Sequence, residues 1–195
     1  MLLLMRERSC STPKPALFLD RDGVINFDYG YVCCEENFHF KPGIFDLVLG
    51  AKAKGYLCIV VTNQAGIGRG LYSIEQFRRL SKWMCEQFEN KGASIDAIYF
   101  SPFHPSEGQG KYLLEENTRK PGAGMFLEAV KDHNIDLTKS IMVGDKMSDM
   151  KASLAVNVAF NYLLSSPFDI EASKELDQRV SLVSDLATIT SHLTY

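Results

Sequence analysis

The sequence lacks any long hydrophobic run. No stretch of its 195 residues approaches the roughly 18 consecutive apolar residues that a membrane-spanning helix needs. The apolar residues 1–5 are too few for the core of a signal peptide, and charged residues follow them at once. The sequence therefore predicts a cytoplasmic protein that has no membrane partner.

The cysteine pattern of a disulfide-rich protein is also missing. The five cysteines are odd in number, no two of them form Cys-x-x-Cys, and Cys58 lies inside an apolar run. This usage is typical of a reducing compartment, where buried free thiols are commoner than disulfide bridges.

Neither sign of charge is in strong excess. The net charge of −3 provides no positive surface for nucleic acid or for an anionic membrane. Hydrophobic residues make up 46% of the chain and charged residues 23%, as in ordinary globular proteins. We predict a loose lead-in over residues 1–15 and a single domain over 16–195. We also predict a monomer without a nucleic-acid partner.

Short apolar segments alternate with amphipathic ones along the chain. They predict strands at 16–19, 56–61, 97–100, 141–143 and 158–160. Helices are predicted at 42–54, 73–91, 125–133, from the fourth strand to about residue 156, and at 186–193. This alternation is typical of an α/β fold, a Rossmann-like parallel sheet with helices on both faces. The remaining long segments, 26–41, a flexible glycine-rich stretch at 66–70, and 101–117, are predicted to be loops.

Two of the predicted helices carry clear apolar stripes. The first stripe contains Ile44, Phe45, Val48 and Leu49. The second contains Phe77, Leu80, Met84 and Phe88, and Ser73 with Gln76 forms a capping box at its start.

The first strand ends in two aspartates, Asp20 and Asp22, followed by Gly23. Side chains at the carboxyl end of such a strand enter the crevice where open α/β sheets bind ligands. Two carboxylates 4 Å apart repel by about 4 kcal/mol at an effective dielectric near 20, so the pair needs a cation, a shared proton or separate roles. A calcium loop is excluded because its closing Glu is replaced by Tyr31. Taken alone, the pair also fits a solvated surface loop.

Other polar residues lie near the ends of later strands or the starts of helices. They are Thr62, Lys120, Asp145 and Asp149. Each has an ordinary alternative: Thr62 as a turn residue, Lys120 as a surface lysine, and the two acids as helix-start residues favoured by the helix dipole. Their joint occurrence in this order favours one site.

This set of residues suits phosphoryl transfer. Asp20 can attack phosphorus as a nucleophile and form an aspartyl phosphate, and Asp22 can act as the general acid and base. Asp20 and Asp145 can hold Mg²⁺, which prefers carboxylate and phosphate oxygens. Thr62 and Lys120 can stabilise the charge on the transferring group.

The order Asp20-x-Asp22-Gly23, Thr62, Lys120 and Gly144-Asp145-x-x-x-Asp149 resembles the four motifs of the haloacid dehalogenase (HAD) superfamily. Longer strings resemble the heptose 1,7-bisphosphate 7-phosphatases within it, which are related to the histidinol phosphatases. These strings are Asp20 to Asn26, Asp28 to Val32, Thr62 to Ile67, Arg69-Gly70, Arg119-Lys120-Pro121 and Gly144-Asp145-Lys146.

The resemblance implies a Mg²⁺-dependent enzyme without a large cap domain. Its reaction would remove the 7-phosphate of D-glycero-D-manno-heptose 1,7-bisphosphate during synthesis of nucleotide-activated heptose. The implied metal site consists of Asp20, the main-chain carbonyl of Asp22, and Asp145, with Asp149 behind them. The implied substrate-binding residues are Asp28, Tyr29, Gly30, Tyr31, Asn63, Gln64, Ala65, Arg119 and Lys146.

One departure from the family pattern concerns zinc. The positions of the family's structural zinc ligands hold Ser101, Phe103, Glu116 and Thr118, which do not form a tetrahedral zinc set. We expect no zinc and a surface or loop role for His104. Packing of Phe103, Tyr112 and Leu113 would then have to order the 101–117 loop; otherwise it is mobile.

Two alternative functions stay open at this point. A histidinol-phosphate phosphatase has similar motifs, although residues 28–31 and Arg69-Gly70 favour the heptose enzymes. A non-catalytic sugar-phosphate-binding protein is the second alternative, but every motif position holds a chemically competent residue. A DNA 3′-phosphatase is disfavoured by the acidic net charge and the absence of a kinase P-loop.

Overall fold

One parallel sheet organises the computed structural model, which describes residues 12–164 and 177–193. Its strands are β1 (Ala16–Leu19), β2 (Leu57–Asn63), β3 (Ala97–Ser101), β4 (Ile141–Gly144), β5 (Phe160–Leu164) and β6 (Val180–Val183). Their spatial order is β3-β2-β1-β4-β5-β6, with every neighbouring pair parallel. The order reverses direction next to β1, where parallel α/β sheets form a binding crevice.

Helices cover both faces of this sheet. They are α1 (Ile44–Ala53), α2 (Ala65–Gly68), α3 (Ile74–Asn90), α4 (Gly124–His133), α5 (Met147–Ala155) and α6 (Leu186–Leu193). Short 3₁₀ turns lie at Glu35–Asn37, Gly110–Tyr112 and Leu137–Lys139. The predicted α/β architecture is confirmed.

The central strand β1 is buried on both faces. Leu17 and Leu19 pack into a core that includes residues of α1, α3 and α6. Ala16 and Phe18 pack into the opposite core with residues of α4 and α5, and the rings of Phe18 and Phe126 lie 4.8 Å apart. An apolar run without alternation therefore marks this strand because it meets helices on both sides.

The capping box predicted for α3 is present. Ser73 Oγ accepts from the Gln76 main-chain N–H, and the Gln76 side chain accepts from the Ser73 N–H. The predicted stripe of this helix is buried at all four positions, Phe77, Leu80, Met84 and Phe88.

Several local predictions were wrong. In α1, Leu49 is exposed and Leu47 takes the buried position. The fifth strand begins at Phe160, because Asn157 adopts a left-handed turn (φ +59°) after α5 and delays it. Strand β6 was missed, since its middle residues are exposed and its apolar signal is weak.

The glycine-rich stretch after β2 is also not a flexible loop. It forms the short helix α2. A Cβ added at Gly66 would lie 2.2 Å from a ring atom of Tyr72, and one at Gly68 would lie 2.3 Å from the Pro102 carbonyl oxygen. These glycines therefore permit close packing of α2 rather than motion.

Three segments of the chain lie outside the described part. They are residues 1–11, which include Cys10, residues 165–176 and residues 194–195. Lys14, predicted within the loose lead-in, pairs through its main chain with Asn134 and Asp136. Of the other cysteines, Cys58 is buried, Cys33, Cys34 and Cys85 are half-buried, and all four are free thiols. Within the described ranges, no helix has the length and apolar character needed to cross a membrane.

Candidate active site

The carboxyl ends of β2, β1 and β4 meet at one edge of the sheet. Asp20 follows β1, Thr62 lies within β2, and Asp145 follows β4. A cavity of about 460 Å³ opens at this edge. Its walls are formed by Asp20, Asp22, Asp28, Gly30, Tyr31, Asn63, Ala65, Tyr72, Arg119, Lys120, Lys146, Ser148 and Asp149.

Lys120 is the buried cation at the base of this cavity. Its Nζ lies 3.0 Å from Asp20 Oδ1 and 2.6 Å from Asp149 Oδ1, and it donates to the Val61 carbonyl at 2.8 Å. Burial opposes the charge on Lys120, but the two carboxylates outweigh this effect and raise its pKa. Lys120 therefore remains a cation between two acids.

Asn63 fixes Lys120 from the neighbouring strand. Its Nδ2 donates to the Lys120 carbonyl and its Oδ1 accepts from the Lys120 N–H, both at 2.9 Å. These two hydrogen bonds hold Lys120, which is 57 positions from Asn63 in sequence, at the carboxyl end of β2.

Asp20, Asp145 and Asp149 form a carboxylate cluster whose oxygens lie within 4.8 Å of one another. Asp145 Oδ1 is buried and has no hydrogen-bond partner among the described residues. Burial and the nearby Asp20 raise the pKa of Asp145 to about 7. An unpartnered buried oxygen among like charges fits a hard divalent cation such as Mg²⁺.

Asp149 is less available to a cation than Asp20 and Asp145. One of its oxygens contacts Lys120, and the other accepts from the Lys146 main-chain N–H at 3.0 Å. It thus ties Lys120 to the first turn of α5.

Gly23 brings the turn after β1 directly against Asp145. Its φ is +94°, and an added Cβ would lie 2.1 Å from Asp145 Oδ2. Glycine is required here both for the left-handed backbone and for the close approach.

The mouth of the cavity is lined by side chains of both charges. Lys146 Nζ lies 3.1 Å from Asp28 Oδ2 and 3.6 Å from Asp145 Oδ2. Burial lowers the pKa of Lys146, but Asp145 and Asp28 raise it by more. Arg119 is half-buried and donates from Nη1 to the Phe103 carbonyl at 3.1 Å, which holds its guanidinium at the wall.

Tyr31 stands at the same mouth with a strained backbone, at φ +52°. Arg69 stacks over its ring at 5.1 Å and donates to its hydroxyl. Arg69 also pairs with Glu107 at 3.0 Å, which connects Tyr31 to the 101–117 loop.

That loop is ordered by contacts within the protein. The Phe103 and Tyr112 rings lie 5.9 Å apart, and the Thr118 hydroxyl donates to Ser101 Oγ at 3.3 Å. His104 Nδ1 accepts from the main-chain N–H of Glu107 at 3.0 Å, as expected for a loop histidine. The packing predicted for Leu113 was wrong, because that side chain is 52% exposed.

Known proteins resemble this chain in sequence and in fold. The family model described as HAD-hydrolase-like matches residues 117–187. D-glycero-alpha-D-manno-heptose-1,7-bisphosphate 7-phosphatase from Burkholderia mallei is 49% identical over 179 residues, which cover 92% of this chain and 93% of that protein. The chain belongs to the heptose 1,7-bisphosphate 7-phosphatase family. Members of this family are phosphoric monoester hydrolases, and this chain is an enzyme of that class.

Two further relatives agree with this assignment. D-glycero-beta-D-manno-heptose-1,7-bisphosphate 7-phosphatase from Haemophilus influenzae is 42% identical over 180 residues, 91% of this chain and 97% of that protein. The crystal structure of D,D-heptose 1,7-bisphosphate phosphatase from B. bronchiseptica, complexed with magnesium and phosphate, has a TM-score of 0.79 at 24% identity. It covers 92% of this chain and 98% of that one, and shows the shared fold.

Most residues that the family resemblance named line this cavity, but Tyr29, Thr62, Gln64 and Asp145 are not among its wall residues. Gln64 is 1% exposed, and its amide bonds to Asp22, Thr62 and Tyr72 rather than opening to the cavity. The Tyr29 side chain is 63% exposed and stacks on Phe27 outside the cavity wall. The substrate-binding roles of Gln64 and Tyr29 stay predictions.

Sequence reasoning also missed three residues that shape the site. Arg21 and Asn26 both donate to the Asp22 carboxylate. Tyr72 lines the cavity and donates to Gln64 Oε1 at 2.6 Å. Arg21 and Asn26 lie inside the first motif and could have been noticed there, whereas Tyr72 has no local signal.

The close approach of Gly23 to Asp145 predicts a selective defect in Gly23→Ala. The new methyl group must displace Asp145, so we expect the thermal stabilisation by Mg²⁺ to disappear. Gly55→Ala is the matched control, because Gly55 has a similar φ of +81° but nothing within 4 Å of the added Cβ. The free energy of unfolding of Gly55→Ala should fall by about 1–2 kcal/mol through backbone strain. Its thermal stabilisation by Mg²⁺ should be kept. An equal Mg²⁺ shift in both variants contradicts the prediction.

The raised pKa of Asp145 predicts how the metal-free protein responds to pH. The unfolded carboxyl ionises near its ordinary pKa of 3.8, whereas the folded one holds its proton up to about pH 7. The free energy of unfolding should therefore fall as pH rises from about 4 to about 7, by roughly 2–4 kcal/mol from this group. Urea unfolding in EDTA across this range measures the slope.

Asp145→Asn tests the source of that slope. Because Asn does not ionise, the free energy of unfolding of the variant should fall less between about pH 4 and pH 7. The variant should also lose its stabilisation by Mg²⁺. Asp46→Asn, on the exposed face of α1, should behave like the unchanged protein. An unaltered slope in Asp145→Asn would assign the pH dependence to other groups.

Proposed function

We propose that this enzyme is a Mg²⁺-dependent phosphatase that removes the 7-phosphate of D-glycero-D-manno-heptose 1,7-bisphosphate through an aspartyl phosphate on Asp20. The observation that carries the mechanism is the position of Asp20 at the end of β1, beside Lys120 and facing Asp145. The names of relatives up to 49% identical support the substrate.

Asp20 acts as the nucleophile. Both described contacts of its carboxylate, from the Arg21 N–H at 2.7 Å and from Lys120, fall on Oδ1. They orient the carboxylate so that the other oxygen can attack phosphorus. The new Oδ–P bond forms as the bond from phosphorus to the C7 oxygen breaks, and Asp22 supplies the proton to that leaving oxygen.

A second step releases phosphate and restores Asp20. Asp22, now ionised, takes a proton from a water molecule that attacks the aspartyl phosphate, so that Asp22 regains the proton it gave in the first step. Lys120 stabilises the negative charge on the phosphoryl oxygens throughout. Thr62 accepts from Gln64 at 2.8 Å, which turns its own hydroxyl hydrogen toward the phosphoryl group.

Asp20, the Asp22 main-chain carbonyl and Asp145 would hold the Mg²⁺ ion, with Asp149 fixing Lys120 behind them. A bound Mg²⁺ offsets the repulsion among the carboxylates and the incoming phosphate dianion. The unpartnered Oδ1 of Asp145 supports this assignment.

The rest of the cavity suits a substrate with a second phosphate. Arg119 and Lys146 bring two further cations to the wall and mouth of the cavity. Arg119 can meet a phosphate with two parallel N–H groups, which lysine cannot do. Asp28, Gly30, Tyr31, Asn63 and Ala65 complete the wall around the sugar. The reaction would occur in the cytoplasm, in a monomeric enzyme, as part of the synthesis of nucleotide-activated heptose.

Asp20→Asn tests the nucleophile. Phosphate release from both anomers of heptose 1,7-bisphosphate should require Mg²⁺ and should fall at least about 10³-fold in the variant, since the amide is a very poor nucleophile. Asp46→Asn serves as the control and should keep full activity. Turnover of histidinol phosphate with both heptoses inert would transfer the assignment to that substrate. Ligand-induced thermal stabilisation without any turnover would indicate a binding protein.

Arg119→Met tests recognition of the second phosphate. Loss of a charge-assisted hydrogen bond worth about 1.5–3 kcal/mol should lower kcat/KM for the bisphosphate roughly 10- to 100-fold. The effect on heptose 7-phosphate should be much smaller. Arg179→Met, which removes an exposed arginine paired with Asp177, is the control. Equal losses on both substrates would show that Arg119 does not bind the second phosphate.

A further inference from the structure

An arginine is buried directly beside the proposed general acid. Arg21 is 1% exposed, and its Nη2 lies 2.7 Å from Asp22 Oδ2 and 2.8 Å from Asp22 Oδ1. Its Nε lies 3.1 Å from the same two oxygens. Both oxygens of the Asp22 carboxylate therefore contact one guanidinium edge.

The guanidinium is itself held rigidly. Nη2 also donates to the Val32 carbonyl at 2.8 Å, and the rings of Phe77 and Phe38 lie 5.7 Å and 6.0 Å from the guanidinium carbon. These contacts come from two separate segments of the chain, the 26–41 loop and α3. The guanidinium can therefore fix the orientation of the Asp22 carboxylate.

Stability does not explain this burial well. Removing an arginine from water costs several kcal/mol, and a buried ion pair often contributes less than apolar side chains of the same volume would. Arg21 Nη1 also has no hydrogen-bond partner among the described residues. A costly, incompletely satisfied cation next to a reactive carboxylate points to a role in the reaction.

Two further donors hold Asp22: Asn26 Nδ2 donates to its Oδ1 at 3.0 Å, and Gln64 reaches it from the end of β2, the strand beside β1. Gln64 Nε2 donates to Asp22 Oδ2 at 3.0 Å and to Thr62 Oγ1 at 2.8 Å. Tyr72 donates to Gln64 Oε1 and fixes that amide. Asp22 is therefore clamped between Arg21 on its own loop and Gln64 after β2, while it still lines the cavity.

We infer that Arg21 is a positioning residue that directs the Asp22 carboxylate at the leaving oxygen of the substrate. This inference rests on the proposed function, because it assumes that Asp22 transfers the proton. Arg21 would act through Asp22 alone and would not touch the substrate. Loss of Arg21 should then lower kcat/KM for those substrates whose leaving group needs a proton.

Leaving-group dependence is the decisive readout. Phenyl phosphate has a poor leaving group that needs the acid, whereas 2,4-dinitrophenyl phosphate has a good one that departs without it. In Arg21→Met, kcat/KM for phenyl phosphate should fall roughly 10- to 100-fold, a part of the 10²–10⁴-fold contribution of a general acid. For 2,4-dinitrophenyl phosphate it should fall less than about threefold. Equal losses on both esters would overturn the inference.

Arg21→Lys separates charge from geometry. Lysine keeps the positive charge but lacks the planar edge that faces both carboxylate oxygens. We expect the same selective loss, smaller than in Arg21→Met. Lys52→Met is the control, since it removes a cation from the Lys52–Asp96 pair, which lies away from the cavity. This variant should keep its kcat/KM for both aryl phosphates. Full activity of Arg21→Lys on phenyl phosphate would show that the direction set by Arg21 is unimportant.

A double-mutant cycle guards against a purely structural effect. Asp22→Asn should already show the selective loss of kcat/KM for phenyl phosphate. Adding Arg21→Met should lower this kcat/KM by less than about threefold more, because Arg21 then has no carboxylate to position. The double variant also avoids an unpaired Asp22 charge. Additive losses would identify a structural role and overturn the inference.

The two proposals fail in distinguishable ways. If the unchanged enzyme hydrolyses the aryl phosphates but not heptose 1,7-bisphosphate, the substrate assignment falls and the test of Arg21 still stands. If it hydrolyses no phosphate ester, the proposed function falls and the role of Arg21 with it.

Discussion

Repulsion among carboxylates at the end of the central strand is the constraint on which this site depends. Asp20, Asp145 and Asp149 lie within 4.8 Å of one another, and Lys120 contacts two of them. Burial and the nearby Asp20 raise the pKa of Asp145, and its Oδ1 has no hydrogen-bond partner among the described residues. The protein folds around an excess of negative charge that a divalent cation can offset.

The two aspartates of the first motif occupy different electrostatic environments. Asp20 faces Lys120 and the other acids, whereas Asp22 contacts Arg21, Asn26 and Gln64. One residue between them is enough to separate the environments, because the chain turns at Gly23 against Asp145. This separation suits the proposed roles of Asp20 as nucleophile and Asp22 as proton donor.

In the proposed function, loops at the mouth of the cavity recognise the substrate. Arg69 connects Tyr31 to Glu107, and Arg119 is held by the Phe103 carbonyl. The 101–117 loop therefore reaches the cavity through ion pairs and main-chain hydrogen bonds. Loops of this kind place charged groups accurately only when their own polar contacts are satisfied.

Five of the six strands, their parallel arrangement and the polar residues that follow them could be predicted from the sequence, because apolar runs followed by acids are local signals and parallel strands align their carboxyl ends. The α/β fold was confirmed on this basis. Which polar side chains face the cavity, and which support others from behind, follows from the packing of the folded chain and could not be predicted. Gln64 and Asn63 look equivalent in sequence, yet their partners, Asp22 and Lys120, lie 42 and 57 positions away. Such pairings depend on how distant segments pack, which no local pattern encodes.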